Sequence, residues 1–268
     1  MAEIREPPPP SDPPAVELVG VSKSFGPKTV LNDVSLRIEK GSVTVMLGPS
    51  GTGKSVLLRC LVGLLKPDEG QVKVFGEDVA ALDESRRVDR EKLFDVRRRF
   101  GMLFQDGALF DDMDVGDNVA FPMRLHTKLP ESEIRERVAD KLARVGLPET
   151  QAKFPSELSG GMRKRVAFAR AIALEPDIVL CDEPSSGLDP VMSATLDELI
   201  LEMHATLGLT FIVISHDTAE ARTIADTIGL LANGRLVTYG PARKVFEENH
   251  PALNQFFTRA TQGPIKVV

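Results

Sequence analysis

The sequence contains no tryptophan, one tyrosine and only two cysteines among its 268 residues. Cys60 and Cys181 lie in apolar stretches, and neither belongs to a Cys-x-x-Cys or histidine-rich spacing. This spacing argues against a disulfide framework and against a zinc site of the usual pattern. We therefore expect the protein to work in a reducing compartment.

Long apolar runs are also missing. A membrane-spanning helix needs about 18 consecutive apolar residues, and no uninterrupted run in this sequence is that long. Near the N-terminus, charged residues such as Glu3 and Arg5 precede Pro7–Pro10, so no apolar core of a signal peptide is present. We expect any membrane role to come through a partner protein.

An excess of positive charge is absent as well. The formal net charge is -6 and the isoelectric point is about 5.4. Affinity for nucleic acid depends on clustered lysine and arginine side chains that neutralise phosphates. We therefore expect no nucleic acid as a partner.

The composition along the chain predicts three parts. Residues 1–14 are rich in proline and charge and predict a disordered tail. Residues 15–245 are long enough for one domain with a sizeable core, and residues 246–268 form a C-terminal extension. In that extension Leu253, Phe256 and Phe257 form an apolar stripe, which either packs on its own domain or, as we favour, contacts a partner.

The pattern of strands and helices predicts an α/β fold. Val16–Val21 and Leu31–Ile38 read as an antiparallel flap, and Ser42–Leu47 reads as a strand before a glycine-rich loop and a helix over Val56–Leu65. Ile178–Cys181 and Thr210–Ile214 are continuous apolar runs, typical of parallel strands that are buried on both faces.

Two further segments complete this prediction. Residues 106–170 are predicted to form an inserted α-helical subdomain, with helices over Glu131–Val145 and Leu158–Leu174. Asp83–Arg99 carries charges of both signs, which favours a solvated helix face over a lipid-headgroup site. A turn is predicted at Pro67–Gly70, and Asn233-Gly234 predicts a closing hairpin.

The most specific motif follows the strand Ser42–Leu47. Its pattern is G-x-x-x-x-G-K-[ST], in which glycines let backbone N–H groups surround a phosphate, a lysine neutralises the phosphate oxygens, and a serine ligates Mg²⁺. An accidental glycine-rich turn is the alternative, but every defining residue is present between a strand and a helix. The motif consists of Gly48, Pro49, Ser50, Gly51, Thr52, Gly53, Lys54 and Ser55.

Two other segments carry polar groups at the ends of predicted elements. Asp182 and Glu183 follow the strand Ile178–Cys181, at the edge of a parallel sheet where α/β folds bind ligands, although acidic residues there are more often helix caps. Ser159 opens a helix with Gly160 and Gly161 in its first turn. Glycine costs about 1 kcal/mol per residue in a helix, which suggests that this helix end approaches a ligand.

Taken in order, these motifs resemble the ATP-hydrolysing subunits of ABC transporters. The resemblance covers about Val16–Gly240, and it implies a P-loop NTPase core with an antiparallel β flap and an inserted helical subdomain. The motifs are Lys54 and Ser55, Gln105 after an apolar strand, Leu158–Gly161, Asp182 and Glu183, Ser186–Asp189, and Ser215 with His216.

The resemblance implies roles for single residues. Two copies would hold ATP between the phosphate loop (Gly48–Ser55) of one and Ser159-Gly160-Gly161 of the other. Mg²⁺ would be ligated by Ser55, Asp182 and Gln105, with Gln105 also sensing the membrane subunit. The remaining roles are Glu183 for the attacking water, His216 for the γ-phosphate, Asp189 for coupling within the dimer and Phe25 for stacking on adenine.

Two of these roles have simpler alternatives. Phe25 could be a core residue of the flap, since a tyrosine is usual at this position of the family. His216 could merely cap the strand Thr210–Ile214.

Finer features resemble the ATPase subunits of Mla and MCE lipid-transport systems. They are Phe104–Phe110, Asn118–Pro122, Met162 in place of the usual glutamine, and the C-terminal tail. The departure at Met162 puts one side-chain contact to the nucleotide in doubt. This resemblance implies phospholipid transport, integral membrane permease subunits, an MCE-domain protein and a small STAS-type accessory protein as partners, and a peripheral place on the cytoplasmic face of the inner membrane.

Two other functions remain open. An ABC importer for a small solute would share every catalytic residue, so only these finer features oppose it. A non-transport ABC ATPase acting on DNA or ribosomes usually carries coiled-coil insertions, a second ATPase unit or basic extensions, whereas this chain is compact and acidic.

Overall fold

The computed structural model describes residues 5–248 and 250–265. Its strands, in chain order, are β1 (Val16–Phe25), β2 (Lys28–Ile38), β3 (Val43–Leu47), β4 (Glu69–Val74), β5 (Glu77–Asp78), β6 (Phe100–Leu103), β7 (Ile178–Asp182), β8 (Thr210–Ser215), β9 (Thr227–Ala232) and β10 (Arg235–Pro241).

The helices range from one to five turns. None of them, within the described residues, is both long and apolar enough to cross a membrane. They are α1 (Lys54–Leu61), α2 (Arg87–Arg98), α3 (Val115–His126), α4 (Glu131–Arg144), α5 (Gly160–Ala171), α6 (Pro190–Leu207), α7 (Thr218–Ile224), α8 (Ala242–Glu247) and α9 (Pro251–Thr258), with a 3₁₀ turn at Pro155–Glu157.

The chain forms two compact units. The first contains residues 5–97 together with the described residues from 210 onward, and the second contains residues 98–209. The phosphate loop and His216 therefore belong to the first unit, whereas Gln105, Ser159–Gly161 and Asp182–Asp189 belong to the second.

An antiparallel sheet in the first unit has the strand order β2-β1-β4-β5. β1 and β2 form a hairpin in which Phe25 lies opposite Lys28, and Gly26 adopts the left-handed backbone conformation (φ 58°) that the tight turn requires. Val16, Leu18 and Val21 of β1 are buried, as expected for a sheet with one face against a core, and the alternation shifts between Leu18 and Val21, where the pairing with β2 is irregular.

Parallel strands form the centre of the first unit. β3 lies between β8 and β9 and runs parallel to both. All residues of these three strands are buried, in agreement with the continuous apolar runs in the sequence. β10 closes the arrangement by an antiparallel hairpin, and its turn residues Asn233 (φ 51°) and Gly234 (φ 74°) have the backbone of a two-residue hairpin.

The second unit combines a parallel strand pair with a group of helices. β6 and β7 run parallel, with Leu103 opposite Cys181. A Cβ on Gly101 of β6 would lie 2.2 Å from the carbonyl oxygen of Ala171, so only glycine lets the end of α5 approach this strand. α3, α4 and α5 pack on one another and form the inserted helical subdomain.

Asn118, at the start of α3, organises the loop that precedes this helix. Its side chain has no solvent exposure. Its Oδ1 accepts from the backbone N–H of Phe110 at 2.9 Å, and its Nδ2 donates to the carbonyl oxygens of Phe110, Met113 and Asp114 at 3.0–3.1 Å. The amide of one side chain therefore satisfies four backbone groups, which explains the asparagine in the first turn of α3.

The predicted architecture is confirmed, and the differences are local. β4 begins at Glu69, so the second half of the turn predicted at Pro67–Gly70 is already strand. The strand itself was not predicted, because its glycine and charged residues hide the alternating pattern and only its pairing with β1 stabilises it. The helix predicted over Val56–Leu65 begins earlier, at Lys54, and ends at Leu61.

The described residues near both termini contact the first unit. Residues 5–14 have no helix or strand, but the Ser11 hydroxyl donates to Glu39 Oε2 at 2.7 Å and Arg5 Nε donates to Asp226 Oδ1 at 2.7 Å. Met1–Ile4, residue 249 and residues 266–268 lie outside the described residues. The predicted limits of the disordered tail and the C-terminal extension stay predictions.

The apolar stripe of the C-terminal extension packs, in this structure, on its own unit. Leu253 is fully buried, and the ring centroid of Phe257 lies 5.2 Å from that of Phe246. The guanidinium of Arg222 lies 3.9 Å from the centroid of Phe246, as in a cation–π pair. These contacts correspond to the packing alternative, and contact with a partner stays a hypothesis.

Asp226 is a buried carboxylate on which the first unit depends. It is 1% exposed, its Oδ2 accepts from the Val43 N–H at 2.7 Å, and its own N–H donates to the Val43 carbonyl. We predict that Asp226→Ala lowers the free energy of unfolding by about 2–3 kcal/mol, because a buried N–H and the partner Arg5 lose their acceptor.

The urea unfolding midpoint measures this effect. Glu247→Ala is the control, since it removes a carboxylate from a surface pair with Arg243 and should cost less than about 1 kcal/mol. Equal shifts for the two variants would contradict the role of Asp226.

Candidate functional site

The phosphate loop joins the end of β3 to the start of α1, and its path depends on two glycines. A Cβ on Gly48 would lie 2.2 Å from the carbonyl oxygen of Leu231, and one on Gly53 would lie 2.8 Å from the carbonyl oxygen of Val30. Gly51 has φ 77° and open space around it. Only glycines fit at Gly48 and Gly53, because a Cβ there would collide with the protein's own backbone.

The end of the loop presents a helix N-terminus and a lysine. The N-cap residue of α1 is Gly53, which offers no side chain to the first-turn N–H groups, and the first turn holds no acidic residue. Lys54 is 5% exposed, and its Nζ donates to the carbonyl oxygens of Gly48 and Pro49 at 2.6 and 2.9 Å. Backbone donors, a positive helix end and an ammonium group fit the phosphates of a nucleotide.

His216 and Phe25 also lie in the first unit. β3 and β8 pair so that Leu47 is opposite Ser215, and Gly48 and His216 therefore follow neighbouring strand ends. His216 is exposed. Phe25 is 50% exposed at the end of β1, with Lys23 Nζ 5.7 Å from its ring centroid, so it is not a core residue of the flap.

The second unit brings Gln105, Asp182 and Glu183 to one edge of a strand pair. Because Leu103 lies opposite Cys181 in the parallel strands, the residues that follow both strands emerge on the same side. Gln105 Nε2 donates to Ser186 Oγ at 3.2 Å, and the Ser186 N–H donates to the Glu183 carbonyl at 3.1 Å. The predicted grouping of these residues agrees with the strand register.

Glu183 has an uncommon backbone conformation. Its φ is 48°, in the left-handed region that non-glycine residues seldom adopt. Such a conformation costs of order 1–3 kcal/mol, and it persists where the surrounding structure holds it, which is frequent at functional sites.

The start of α5 consists of a serine cap and two glycines. Ser159 is the N-cap, and its Oγ accepts from the Met162 N–H at 3.3 Å. A Cβ on Gly161 would lie 2.0 Å from the terminal carbon of Met192, which is the end of a flexible side chain and can move away. Gly160 is exposed, and a Cβ there would meet only Leu188 and Arg163, at 3.9 and 4.0 Å. Packing within the unit does not require glycine at position 160.

Asp189 is an exposed helix cap. Its Oδ1 accepts from the N–H groups of Val191 and Met192, at 2.9 and 3.0 Å, at the start of α6. This contact stabilises the helix. It also fixes the end of the segment that begins at Ser186.

Among the described residues, no group of three or more histidine, cysteine, aspartate or glutamate side chains forms a metal cluster. Burial raises the pKa of the Cys60 thiol to about 11, which makes this cysteine a poor nucleophile at neutral pH.

Sequence reasoning missed two basic residues of α5. Lys164, 6% exposed, donates to the carbonyl oxygen of Gln105, and Arg170 donates to the carbonyl oxygens of Gly107 and Ala108. Both lie on the helix that the Ser159-Gly160-Gly161 motif opens, but their partners are backbone atoms of a distant loop, which leave no trace in a sequence pattern.

Comparison with known proteins identifies the family. Residues 31–186, more than half of the chain, match the family described as ABC transporter. A protein of Mycobacterium leprae named probable ribonucleotide transport ATP-binding protein mkl is 47% identical over 251 residues, covering 94% of this chain and 71% of that protein. The Escherichia coli K12 protein MlaF, named intermembrane phospholipid transport system ATP-binding protein, is 43% identical over 250 residues, covering 93% of this chain and 91% of that protein.

Solved structures agree with this assignment. CbiO1 from Clostridium perfringens, part of the ABC transporter complex cbiONQ, has a TM-score of 0.78 and 32% identity over 87% of this chain and 91% of its own. The dimeric ATP-binding cassette MJ0796 bound to ADP and Pi has a TM-score of 0.75 and 31% identity over 85% of this chain and 99% of its own. The chain therefore belongs to the ABC transporter family and is one of its ATP-hydrolysing subunits.

Proposed function

We propose that this ATPase drives the movement of phospholipids between the inner and outer membranes. The observation that carries the proposal is the match with MlaF of Escherichia coli, which covers 93% of this chain and 91% of that protein. A match over nearly the full length of both chains extends beyond the motifs that all ABC ATPases share. The segments Phe104–Phe110 and Asn118–Pro122, together with Met162, support the same subfamily.

The first unit supplies the groups that we assign to the nucleotide. Lys54 binds the β- and γ-phosphates, and the hydroxyl of Ser55 ligates Mg²⁺. The half-exposed ring of Phe25 stacks on adenine, and His216 contacts the γ-phosphate. Bound Mg²⁺ would neutralise the charge on the phosphate oxygens during transfer.

The second unit supplies the groups that we assign to the water and the metal. Asp182 and Gln105 ligate Mg²⁺, and Glu183 accepts a proton from the attacking water as a general base. The left-handed backbone at Glu183 supports this role, because a backbone conformation that non-glycine residues seldom adopt is frequent at functional sites.

Hydrolysis then requires a second copy of the chain. In our proposal, Ser159, Gly160 and Gly161 of one copy contact the ATP held by the phosphate loop of the other, and Asp189 couples the two copies. Ser159, Gly160 and Asp189 are exposed, as groups that contact a partner must be. The dimeric state of MJ0796 supports this arrangement.

Membrane partners complete the proposed system. The chain would bind integral membrane permease subunits at the cytoplasmic face of the inner membrane. An MCE-domain protein and a small STAS-type protein would be further components. The presence of cbiO1 in the complex cbiONQ supports assembly into a transporter in general.

A second candidate function is transport of a small solute. The 47% identity to a protein named for ribonucleotide transport favours it. This chain covers 71% of the mkl protein and 91% of MlaF, so 29% of mkl but only 9% of MlaF has no counterpart in the match.

Copurification from detergent-solubilised membranes, with the associated chains identified by mass spectrometry, tests the proposal. A permease together with an MCE-domain protein supports lipid transport. A permease with a soluble solute receptor instead supports the import of a solute and overturns the lipid assignment.

The role of Glu183 predicts a separation of binding from turnover. Glu183→Gln should keep ATP affinity, lower kcat by about 10²–10⁴-fold because the general base is lost, and accumulate an ATP-bound dimer. Calorimetry, steady-state hydrolysis and gel filtration with ATP measure the three effects. Glu198→Gln, an exposed change on α6, is the matched control and should retain the parent rate. A parent rate in Glu183→Gln would refute the assignment.

The role of Gly160 predicts lost activity without lost stability. A Cβ at this position fits within the unit, and alanine favours a helix over glycine by up to about 1 kcal/mol, so Gly160→Ala should melt at or above the parent temperature. It should nevertheless lower the hydrolysis rate about 100-fold, because the Cβ blocks close approach of backbone N–H donors to the partner's nucleotide. Gly240→Ala, equally free of close contacts, is the control and should hydrolyse ATP normally. Normal hydrolysis by Gly160→Ala would contradict the cross-dimer contact.

A further inference from the structure

The loop after β6 has a sharp turn at Gly107 and Ala108. Both residues adopt the left-handed conformation, with φ 75° and 47°, and the Gly107 N–H donates to the Phe104 carbonyl at 2.9 Å. Alanine seldom adopts this conformation, because its Cβ approaches the following carbonyl. Contacts from outside the loop must therefore maintain the turn.

Arg170, in the last turn of α5, makes those contacts. Its Nη2 donates to the Gly107 carbonyl at 2.7 Å and its Nη1 donates to the Ala108 carbonyl at 2.8 Å. The guanidinium also lies 5.6 Å from the ring centroid of Phe110. The planar fork of an arginine engages two neighbouring carbonyl oxygens from two nitrogens held in a fixed geometry, whereas a lysine would have to reach both from one ammonium nitrogen.

The environment of Arg170 leaves the loop as its main partner. Burial lowers the pKa of its guanidinium. Within residues 5–248 and 250–265, no carboxylate forms an ion pair with it. Arg170 is partly buried, and a charge that loses contact with water is costly unless it is hydrogen-bonded, so the two loop carbonyls also stabilise the arginine.

Lys164 adds a third contact from the same helix. Its Nζ donates to the carbonyl oxygen of Gln105, and the side chain of Gln105 donates to Ser186. Helix α5 therefore holds the carbonyl oxygens of residues 105, 107 and 108, which directly flank the side chain proposed to ligate Mg²⁺.

We propose that Arg170 is a positioning residue of the ATPase, which, through the carbonyl oxygens of Gly107 and Ala108, fixes the loop that carries Gln105. The inference rests on the proposed role of Gln105 as a Mg²⁺ ligand. It links the helix that begins at Gly160 to the placement of that ligand, so a displacement of α5 also displaces Gln105.

Four variants of the full chain test this inference: Arg170→Lys, Gln105→Ala, the double variant, and the control Arg165→Lys. Arg165 lies on the same helix, and its Nη1 donates to the Val145 carbonyl at 3.2 Å, away from the loop. The readouts are kcat and the Mg²⁺ concentration that gives half the maximal rate, together with the melting temperature.

We expect Arg170→Lys to lower kcat and to raise the half-maximal Mg²⁺ concentration, so that the ratio of the two falls roughly tenfold. The control Arg165→Lys should change each quantity less than about twofold. In the Gln105→Ala background, Arg170→Lys should add less than about a twofold further change, because Arg170 acts by positioning the side chain that is already removed. Lys164→Met should act in the same direction as Arg170→Lys, and it serves as the test if Arg170→Lys does not fold.

Three results would overturn the inference. Unchanged Mg²⁺ dependence in the Arg170 and Lys164 variants would show that the loop does not need these contacts. Equal losses in the presence and absence of the Gln105 side chain would assign Arg170 to general stability. If Gln105→Ala alone leaves Mg²⁺ dependence unchanged, the proposed role of Gln105 fails, and the inference fails with it.

Discussion

The absence of a Cβ at Gly48 and Gly53 is the constraint on which the site depends. These two glycines let the loop pass the carbonyl oxygens of Leu231 and Val30 at distances that no side chain permits. The loop can therefore join a fully buried strand to a helix whose first-turn N–H groups meet no side-chain cap. Lys54 adds the positive charge at the same place. This local geometry fits the phosphate binding that we propose for the loop.

In the second unit, hydrogen bonds from side chains to backbone groups connect helix ends with loops. Asn118 satisfies the backbone groups of the loop before α3, and Asp189 caps α6. Arg170 and Lys164 hold the loop after β6 from the side of α5. Few of these contacts join two side chains. The segments that carry Gln105, Gly160 and Asp189 thus belong to one hydrogen-bonded group within this unit.

The sequence predicted the parts of the site that depend on local pattern. Gly48–Ser55 was recognisable because its glycines and Lys54 are adjacent in the chain, and the buried parallel strands were recognisable from their continuous apolar runs. β4 was missed because its stability comes from pairing with β1, a tertiary effect. The contacts of Arg170 with Gly107 and Ala108 could not be predicted, since they join residues far apart in sequence through backbone atoms that no motif specifies.

The central claim is that two copies of this chain share each ATP, and a structure of the Glu183→Gln transporter with Mg²⁺ and ATP tests it most directly. The account predicts that the γ-phosphate lies within hydrogen-bond distance of Lys54 Nζ in one copy and of the Gly160 backbone N–H in the other. A nucleotide enclosed entirely by one copy, with the start of α5 of its neighbour far away, would contradict the account.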